Sequence, residues 1–162
     1  MLESASYEAV QDFLEVARTG FDALEIEHQD QDLLADLCAA TGLMWAHRGF
    51  FEKAEPFQRQ AYAIRLGIKP LDHLELSWTQ ANLGNLTAST VHHDESLDFQ
   101  LEALRNRQIA GEDDYAVMKP QGLLYQNLGR SMYYVGRYLE AHIWCHMAIA
   151  VLSDSQNWAM LA

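Results

Sequence analysis

Two histidines four residues apart are the side chains of this sequence best spaced for chemistry. His142 and His146 lie in the segment HIWCH at positions 142–146. A helix places them one turn apart on one face, which is the spacing of a two-histidine zinc half-site. A metalloprotease helix has a glutamate between its two histidines, and none stands between these two. The sequence also assigns no third ligand. Helical histidines more often have structural roles, so we predict no metal here and keep a zinc half-site as the alternative.

A second group of titratable residues is the run His92-His93-Asp94-Glu95. The two histidines could bind a metal or respond to pH near neutrality. Asp94 beside a helix start more simply caps the helix, and Glu95 interacts favourably with the helix dipole. We therefore predict an ordinary helix start with exposed histidines.

Sequence signatures of enzymes are missing from the chain. It has no glycine-rich loop to hold phosphates, no nucleophile elbow and no paired-cysteine motif. A pair of carboxylates carries no information, because any pair could be drawn from 23 acidic residues. We predict a protein that is not an enzyme and has no cofactor, with an active site assembled only in three dimensions as the alternative.

The elements that would position such residues are indicated by a repeated spacing of small and aromatic residues. Offsets of 3, 7, 9, 12, 15 and 19 from Gly129 give Met132, Gly136, Tyr138, Ala141, Trp144 and Ala148. The same offsets from Gly84 give Thr87, Val91, His93, Ser96, Phe99 and Ala103. From Gly42 they give Trp45, Gly49, Phe51, Ala54, Phe57 and Ala61. The three glycines are 42 and 45 residues apart, and a period in this range indicates stacked supersecondary units.

This pattern resembles the tetratricopeptide repeat over nearly the whole chain. The triplets Asn82-Leu83-Gly84 and Asn127-Leu128-Gly129 resemble the long-loop variety of that repeat, found in kinesin light chains and in repeat arrays of large signalling NTPases. The chain departs from the family where Ser96 replaces a small Ala, where Val91 replaces the turn Gly, and in lacking the terminal Pro. The resemblance implies an all-α, right-handed solenoid of antiparallel helix pairs, with about seven helices.

We expect a single repeat domain over residues 1–162. Its expected parts are the second helix of a partial unit at about 7–24, unit one at 31–66, unit two at 72–109, unit three at 118–152, and the start of a further helix at 154–162. Asp30 or Asp32 and Asp72 are the predicted N-caps, Lys119–Gly122 an irregular start of unit three, and Ser153–Ser155 a new N-cap. We interpret a chain that starts and stops within repeats as an excised part of a longer protein, with ends that pair between copies as the alternative.

The first helix of each repeat lines a concave groove in this family, so the resemblance also selects candidate binding residues. They are Trp78, Asn82, Asn85, Gln126, Asn127, Arg130, Tyr133 and Tyr134. The amides can hold an extended peptide backbone, the aromatic residues can anchor side chains, and Arg130 can bind a carboxylate or a carbonyl. In peptide-binding members the Asn just before Leu-Gly contacts the ligand backbone; Asn82 and Asn127 match that position and Ala40 does not.

We therefore predict a non-catalytic scaffold that recognises an extended protein or peptide segment in its groove. Two other interpretations of the same residues stay open: packing within the chain, and occupation of the groove by another part of a parent protein. The alternative function is a repeat segment of a larger signalling protein, for example an NTPase-linked array, used for self-association or autoinhibition. That alternative would make the chain a homo-oligomer through its uncapped ends.

Charge and cysteine content narrow the partners and the compartment. The net charge of −12 and the pI near 4.8 argue against nucleic acid and anionic membranes, which both favour a basic surface. They suit a neutral or basic peptide, or simply solubility. Cys38 and Cys145 fall in apolar helical patterns, so we predict two buried thiols rather than a disulfide. A cytoplasmic protein follows as the expectation.

Overall fold

The computed structural model describes residues 2–23, 30–111 and 115–159 of the 162-residue chain, with side chains described for 7–23, 30–111 and 121–153. Over these residues the chain forms seven α-helices and confirms the predicted all-α class. In chain order they are α1 (Leu2–Asp22), α2 (Gln31–His47), α3 (Phe51–Gly67), α4 (His73–Ser89), α5 (His93–Ala110), α6 (Tyr115–Tyr134) and α7 (Tyr138–Ala159). No helix in the described part is long and apolar enough to cross a membrane.

Aspartate caps fix where two of the helices begin. Asp30 precedes α2, and its carboxylate accepts a hydrogen bond of 2.9 Å from the backbone N–H of Asp32. Asp72 precedes α4 and accepts from the N–H groups of Leu74 and Glu75 at 2.9 and 3.0 Å. Each side chain satisfies donors that have no partner in the first helical turn.

Three identical turns join the helices into antiparallel pairs, α2 with α3, α4 with α5 and α6 with α7. Each turn has one residue in the left-handed region: Gly49 (φ +80°), Val91 (φ +67°) and Gly136 (φ +85°). The residue after it donates its N–H to a carbonyl five residues earlier, at 3.0, 2.9 and 2.8 Å in the three turns. This is the Schellman arrangement, which closes the end of one helix and reverses the chain.

Within each pair the two helices are in tight contact at a glycine, where an added Cβ would clash with the partner helix. The backbone of Gly42 lies against Gln58, that of Gly84 against Gln100, and that of Gly129 against Cys145. The contacting residue is sixteen positions after the glycine in every unit. The repeated spacing predicted from the sequence therefore corresponds to a repeated contact between helices.

Successive pairs stack on one another. The trailing helices α1, α3 and α5 pack against the leading helices α2, α4 and α6 that follow them, and α2 contacts α4 as α4 contacts α6. The leading helices thus lie side by side and form one continuous face. A core of buried apolar residues joins the second and third pairs, among them Leu97, Leu104, Leu124 and Leu128.

A network of polar side chains links α4 to α5 within the second pair and reaches the first pair through Tyr62 of α3. Gln80 is buried and donates to Glu102 Oε2 at 2.9 Å, and Asn106 donates to Gln80 Oε1 at 2.8 Å. The Tyr62 hydroxyl donates to the same Glu102 oxygen at 3.4 Å, and burial is the main cause that raises the pKa of Tyr62. Each member of this network has a partner, as polar groups between packed helices require.

Two predicted interruptions of helices are corrected by the structure. Helix α6 begins at Tyr115 and runs through the segment 119–122, where the sequence predicts an irregular start. Pro120 lies five residues after the helix start, as Pro56 does in α3, so each proline removes a hydrogen bond near the helix end rather than from its middle. Helix α7 likewise continues through 153–155, where the sequence predicts a new N-cap, and reaches Ala159. Residues with capping side chains favour helix ends but are tolerated inside helices.

Candidate partner-binding surface

Helices α4 and α6 carry all eight predicted binding residues. Trp78, Asn82 and Asn85 lie on α4, and the other five lie on α6. The two helices are linked across this face by Arg130, whose Nη2 donates to Asn85 Oδ1 at 3.4 Å. The same oxygen accepts from Gln100 Nε2 at 3.1 Å. Asn85 is therefore engaged within the chain.

Asn82 and Asn127 differ from Asn85 in this respect. Each lies two residues before the glycine of its unit, and each is half-buried. Neither side-chain amide makes a hydrogen bond to any residue in the described part of the chain. Each therefore keeps two donors and an acceptor for another molecule, and the two amides occupy equivalent places on neighbouring helices.

The α4 amides line a small cavity between the first and second helix pairs. Its volume is about 330 Å³, and it is lined by Leu43, Ala46, His47, Phe51, Gln58, Asn82, Asn85, Leu86 and Ser89. Gln58 forms part of this lining; its Nε2 donates to the Ala39 carbonyl at 2.9 Å, while its buried Oε1 has no hydrogen-bond partner. The cavity thus combines apolar walls with amide groups that have unused hydrogen-bonding capacity.

The α6 residues line a second, larger cavity between α6 and α7. Its volume is about 610 Å³, and it is lined by Gln126, Asn127, Gly129, Arg130, Tyr133, Tyr134, Tyr138, Ala141, His142 and Cys145. Tyr133 makes edge-on contacts with Tyr134 and Tyr138, at 5.7 and 5.4 Å between ring centroids. The three tyrosines are more than half exposed and so form an open aromatic cluster.

Trp78 lies apart from the other predicted residues, because it lines neither of these cavities. Its ring packs against α5, where the Arg107 guanidinium carbon is 4.8 Å from the ring centroid. The eight residues therefore divide into an α4 group, an α6 group and a tryptophan held by the neighbouring helix.

The structure corrects two predictions for the turn in unit two, namely that Asp94 caps the following helix and that both histidines are exposed. His92 is the N-cap residue of α5, so Asp94 lies in the first turn and does not cap the helix. His93 is half-buried rather than exposed, and its ring stacks on Tyr134 with 4.4 Å between centroids and 9° between planes. This contact between α5 and α6 fixes the orientation of one tyrosine of the aromatic cluster.

The other histidine pair does not gain a third ligand. His142 and His146 are exposed, with ring centroids 4.4 Å apart. Within the described residues no three His, Cys, Asp or Glu side chains are grouped so that they could hold a metal ion.

The two thiols differ in exposure, so the prediction that both are buried is confirmed for Cys38 and wrong for Cys145. Cys38 is buried as predicted, and burial raises the pKa of its thiol, opposed by Arg18 Nη1 at 3.7 Å. Cys145 is exposed although its sulfur lies against Gly129. Its equivalents Gln58 and Gln100 are buried because a following helix covers them, so the sequence pattern alone could not reveal the difference.

Sequence reasoning missed the contribution of the trailing helix to the larger cavity. Tyr138 and His142 of α7 lie in its wall together with Cys145. The signal was present, since Tyr138 and Cys145 stand nine and sixteen residues after Gly129 at positions that recur in every unit. Near the cavity, Arg137 donates to Glu140 at 2.8 Å, and this hydrogen bond lowers the pKa of Glu140.

Comparison with known proteins identifies the fold but not a family. No protein-family model matches the chain, and no curated protein matches it. Among solved structures it is similar to the crystal structure of BtubC (BKLC) from P. vanneervenii, a kinesin light chain-like protein, with a TM-score of 0.61 and 15% sequence identity. That alignment covers 96% of this chain and 76% of BtubC. The likeness supports a helical-repeat fold of the tetratricopeptide type.

Proposed function

We propose that this chain is a non-catalytic scaffold whose leading helices bind an extended segment of a partner protein. One observation carries the proposal: the amides of Asn82 and Asn127 stand at equivalent, half-buried places on adjacent helices and make no hydrogen bond within the described chain. A half-buried amide without a partner loses part of its hydration and gains nothing in return. A bound backbone would supply the missing donors and acceptors.

The surroundings of these amides suit a peptide rather than a small charged molecule. Leu43 and Leu86 give the α4 cavity apolar walls, and Tyr133 and Tyr134 supply rigid aromatic surface with polar tips beside Asn127. An extended segment can place successive backbone groups against the amides and its side chains against these apolar surfaces. The likeness to BtubC supports the scaffold, since that protein has the same kind of helical repeat.

Selection of binding peptides from a random display library on the immobilised chain provides the ligand for the test. Binding of a selected peptide is then measured by fluorescence anisotropy to the wild type and to Asn82→Ala/Asn127→Ala. Two net hydrogen bonds of about 0.5–1.5 kcal/mol each correspond to a loss of about 5- to 150-fold in affinity. Because neither amide has a hydrogen-bond partner among the described residues, the thermal unfolding temperature should stay nearly unchanged.

A matched control is Gln108→Ala on α5, which removes an exposed amide that lines neither of the two cavities. It should leave peptide affinity unchanged. Selected peptides that bind the double variant as tightly as the wild type would overturn the proposal. Loss of folding in the double variant would instead show that the two amides stabilise the chain, which contradicts their assignment to a partner.

A further inference from the structure

We propose that the α4 cavity, the space of about 330 Å³ between the first and second helix pairs, selects a primary-amide side chain of the bound segment, asparagine or glutamine. The side chain belongs to the segment held on the leading helices, so the proposal rests on the proposed function. It adds to that function the kind of residue that the segment must carry.

Gln58 gives the α4 cavity a hydrogen-bond acceptor in a fixed orientation. Its Nε2 must face the Ala39 carbonyl oxygen, 2.9 Å away, because a carbonyl can only accept. The Oε1 atom of the same amide is buried and has no hydrogen-bond partner in the described part of the chain. The side chain is held against the backbone of Gly42, where an added Cβ would lie 2.8 Å from Gln58 Cγ and Nε2. Gln58 therefore keeps a buried acceptor unused, which is rare in folded proteins.

Asn85 gives the α4 cavity a donor, and its orientation is fixed as well. Its Oδ1 accepts from Gln100 Nε2 at 3.1 Å and from Arg130 Nη2 at 3.4 Å. Because a guanidinium can only donate, the oxygen of the amide must lie on the side of Arg130. The Nδ2 group makes no hydrogen bond to any residue that the structure describes. The cavity lining thus includes one amide with an unused acceptor and one with unused donors.

The junction between the second and third pairs shows how the chain's own side chains occupy the equivalent space. There, Tyr134 stacks on His93, and Arg130 reaches Asn85. At the positions equivalent to Tyr134 and Arg130, α4 carries Ser89 and Asn85. These shorter side chains leave the α4 cavity between the first and second pairs. Helices α2 and α3 form one wall and α4 the other, so the cavity does not depend on where the chain ends.

The lining of the α4 cavity determines the chemistry of the side chain that fits. It contains no carboxylate, lysine or arginine, so a charged side chain would lose hydration without gaining a partner ion. An apolar side chain would leave both amides unsatisfied. A primary amide has an N–H donor for Gln58 Oε1 and a carbonyl acceptor for Asn85 Nδ2. Leu43, Phe51 and Leu86 supply apolar contact for its methylene groups.

A side-chain amide suits this space better than a peptide unit or a single water molecule. The N–H and C=O groups of a trans peptide unit point in opposite directions, whereas a side-chain amide presents both groups at its tip. One water molecule accounts for only about 30 Å³ of liquid volume, far less than the cavity offers. Asparagine or glutamine of the bound segment can therefore enter between the helix pairs while the backbone stays on the leading helices.

The random-library peptides selected on the wild type are the probes for this proposal. We expect the selected sequences to share an asparagine or a glutamine at one position. Replacing a glutamine there by methionine, or an asparagine by leucine, keeps the size and removes both hydrogen-bonding groups. Fluorescence anisotropy should then show a loss of about 5- to 150-fold in affinity, as expected for two net hydrogen bonds. Replacement by glutamate or aspartate removes the donor, adds a charge and should weaken binding at least as much.

Ser89→Tyr tests the cavity from the side of the protein, because it introduces the residue found at the equivalent position of unit three. Ser89 is exposed, and Phe51 of the same lining is the equivalent of His93, so the new ring can stack there and close the cavity. The amide peptide and its apolar counterpart should then bind this variant with equal affinity. Ser153→Tyr makes the same change at an exposed position of α7 outside both cavities and should keep the wild-type preference.

The outcomes separate this proposal from the proposed function. Peptides that share no asparagine or glutamine, or that bind as tightly after its replacement, would overturn the amide preference, while Asn82→Ala/Asn127→Ala still tests the backbone contacts. An amide preference that persists in Ser89→Tyr would also overturn it. A selection that yields no binding peptide would overturn both proposals. If Ser89→Tyr is unfolded by circular dichroism, the peptide replacements on the wild type decide the matter alone.

Discussion

The hydroxyl oxygens of Ser96 and Ser131 lie 2.9 Å apart in the interior, on helices that belong to different pairs. Ser96 also donates to the carbonyl oxygen of Gly84 at 2.7 Å, so its single proton is used and Ser131 must donate to it. Ser96 occupies the position at which the other pairs have Ala54 and Ala141. A departure from the repeat pattern is thus explained by a polar link between units two and three.

This link predicts strongly non-additive substitutions. Ser96→Ala leaves the buried Ser131 hydroxyl without its acceptor and should lower the free energy of unfolding by about 1–3 kcal/mol. In Ser96→Ala/Ser131→Ala both partners are removed, so the loss should be smaller than in Ser96→Ala alone. Urea denaturation of the two single variants and the double variant gives the coupling energy. Strictly additive losses would contradict the hydrogen bond.

Val91 gives a prediction of the opposite sign. It adopts φ +67° in a turn where the other pairs have Gly49 and Gly136. A β-branched residue is strained in the left-handed region, by about 1–2 kcal/mol relative to its usual conformations. Val91→Gly relieves this strain but increases the freedom of the unfolded chain, so we expect a net gain of about 1 kcal/mol in the free energy of unfolding.

The matched control for that gain is Gly49→Val, which places valine in the equivalent turn of unit one and should lower the urea midpoint. A Val91→Gly variant that unfolds at lower urea than the wild type would show that the valine side chain contributes more by contact than it loses by strain.

The helix pairs could be predicted from the sequence because the small residues required at close helix contacts recur at a regular spacing. Gly42, Gly84 and Gly129 mark the three contacts, and the turn positions follow seven residues later. Features that have no regular spacing in the sequence were not predicted. Ser153–Ser155 read as a helix start although α7 continues through them, because a local capping preference says nothing about the contacts that extend a helix.

The binding residues could be predicted only as a face. The sequence placed Asn82, Asn85 and Asn127 on neighbouring helices, but it could not show that Asn85 is engaged by Arg130 and Gln100 while the other two are unengaged. Those partners come from α5 and α6, at distances along the chain that no local pattern encodes. The prediction that Cys145 is buried was wrong for the same reason. Burial of a side chain depends on which other helix covers it, and the spacing of residues within its own helix does not show this.

The close approach at Gly129 predicts a large loss of stability on enlargement. A Cβ there would lie 2.6 Å from the Cys145 sulfur and 3.2 Å from the Ala141 carbonyl oxygen. Gly129→Leu must separate α6 from α7, and overpacking of this kind costs about 1–3 kcal/mol or more. Thermal unfolding followed by circular dichroism should show a clear decrease in the melting temperature.

Gly67→Ala is the control for this enlargement, because a Cβ at Gly67 would meet nothing within 4 Å and the residue is helical. It should leave the melting temperature unchanged or raise it slightly. If Gly129→Leu melted no lower than Gly67→Ala, the tight contact between α6 and α7 would be wrong.

The two cysteines should differ sharply in their reactivity toward alkylating reagents, because only a thiolate that the reagent can reach is alkylated. Cys38 is buried and its thiol pKa is raised by burial, whereas Cys145 is exposed on α7. Iodoacetamide at neutral pH should therefore label Cys145 quickly and Cys38 only on the timescale of local opening, with peptide mass spectrometry assigning each site.

In urea above the unfolding midpoint the two labelling rates should converge, because the unfolded chain exposes both thiols. Equal labelling in the folded chain would show that α1 does not cover Cys38.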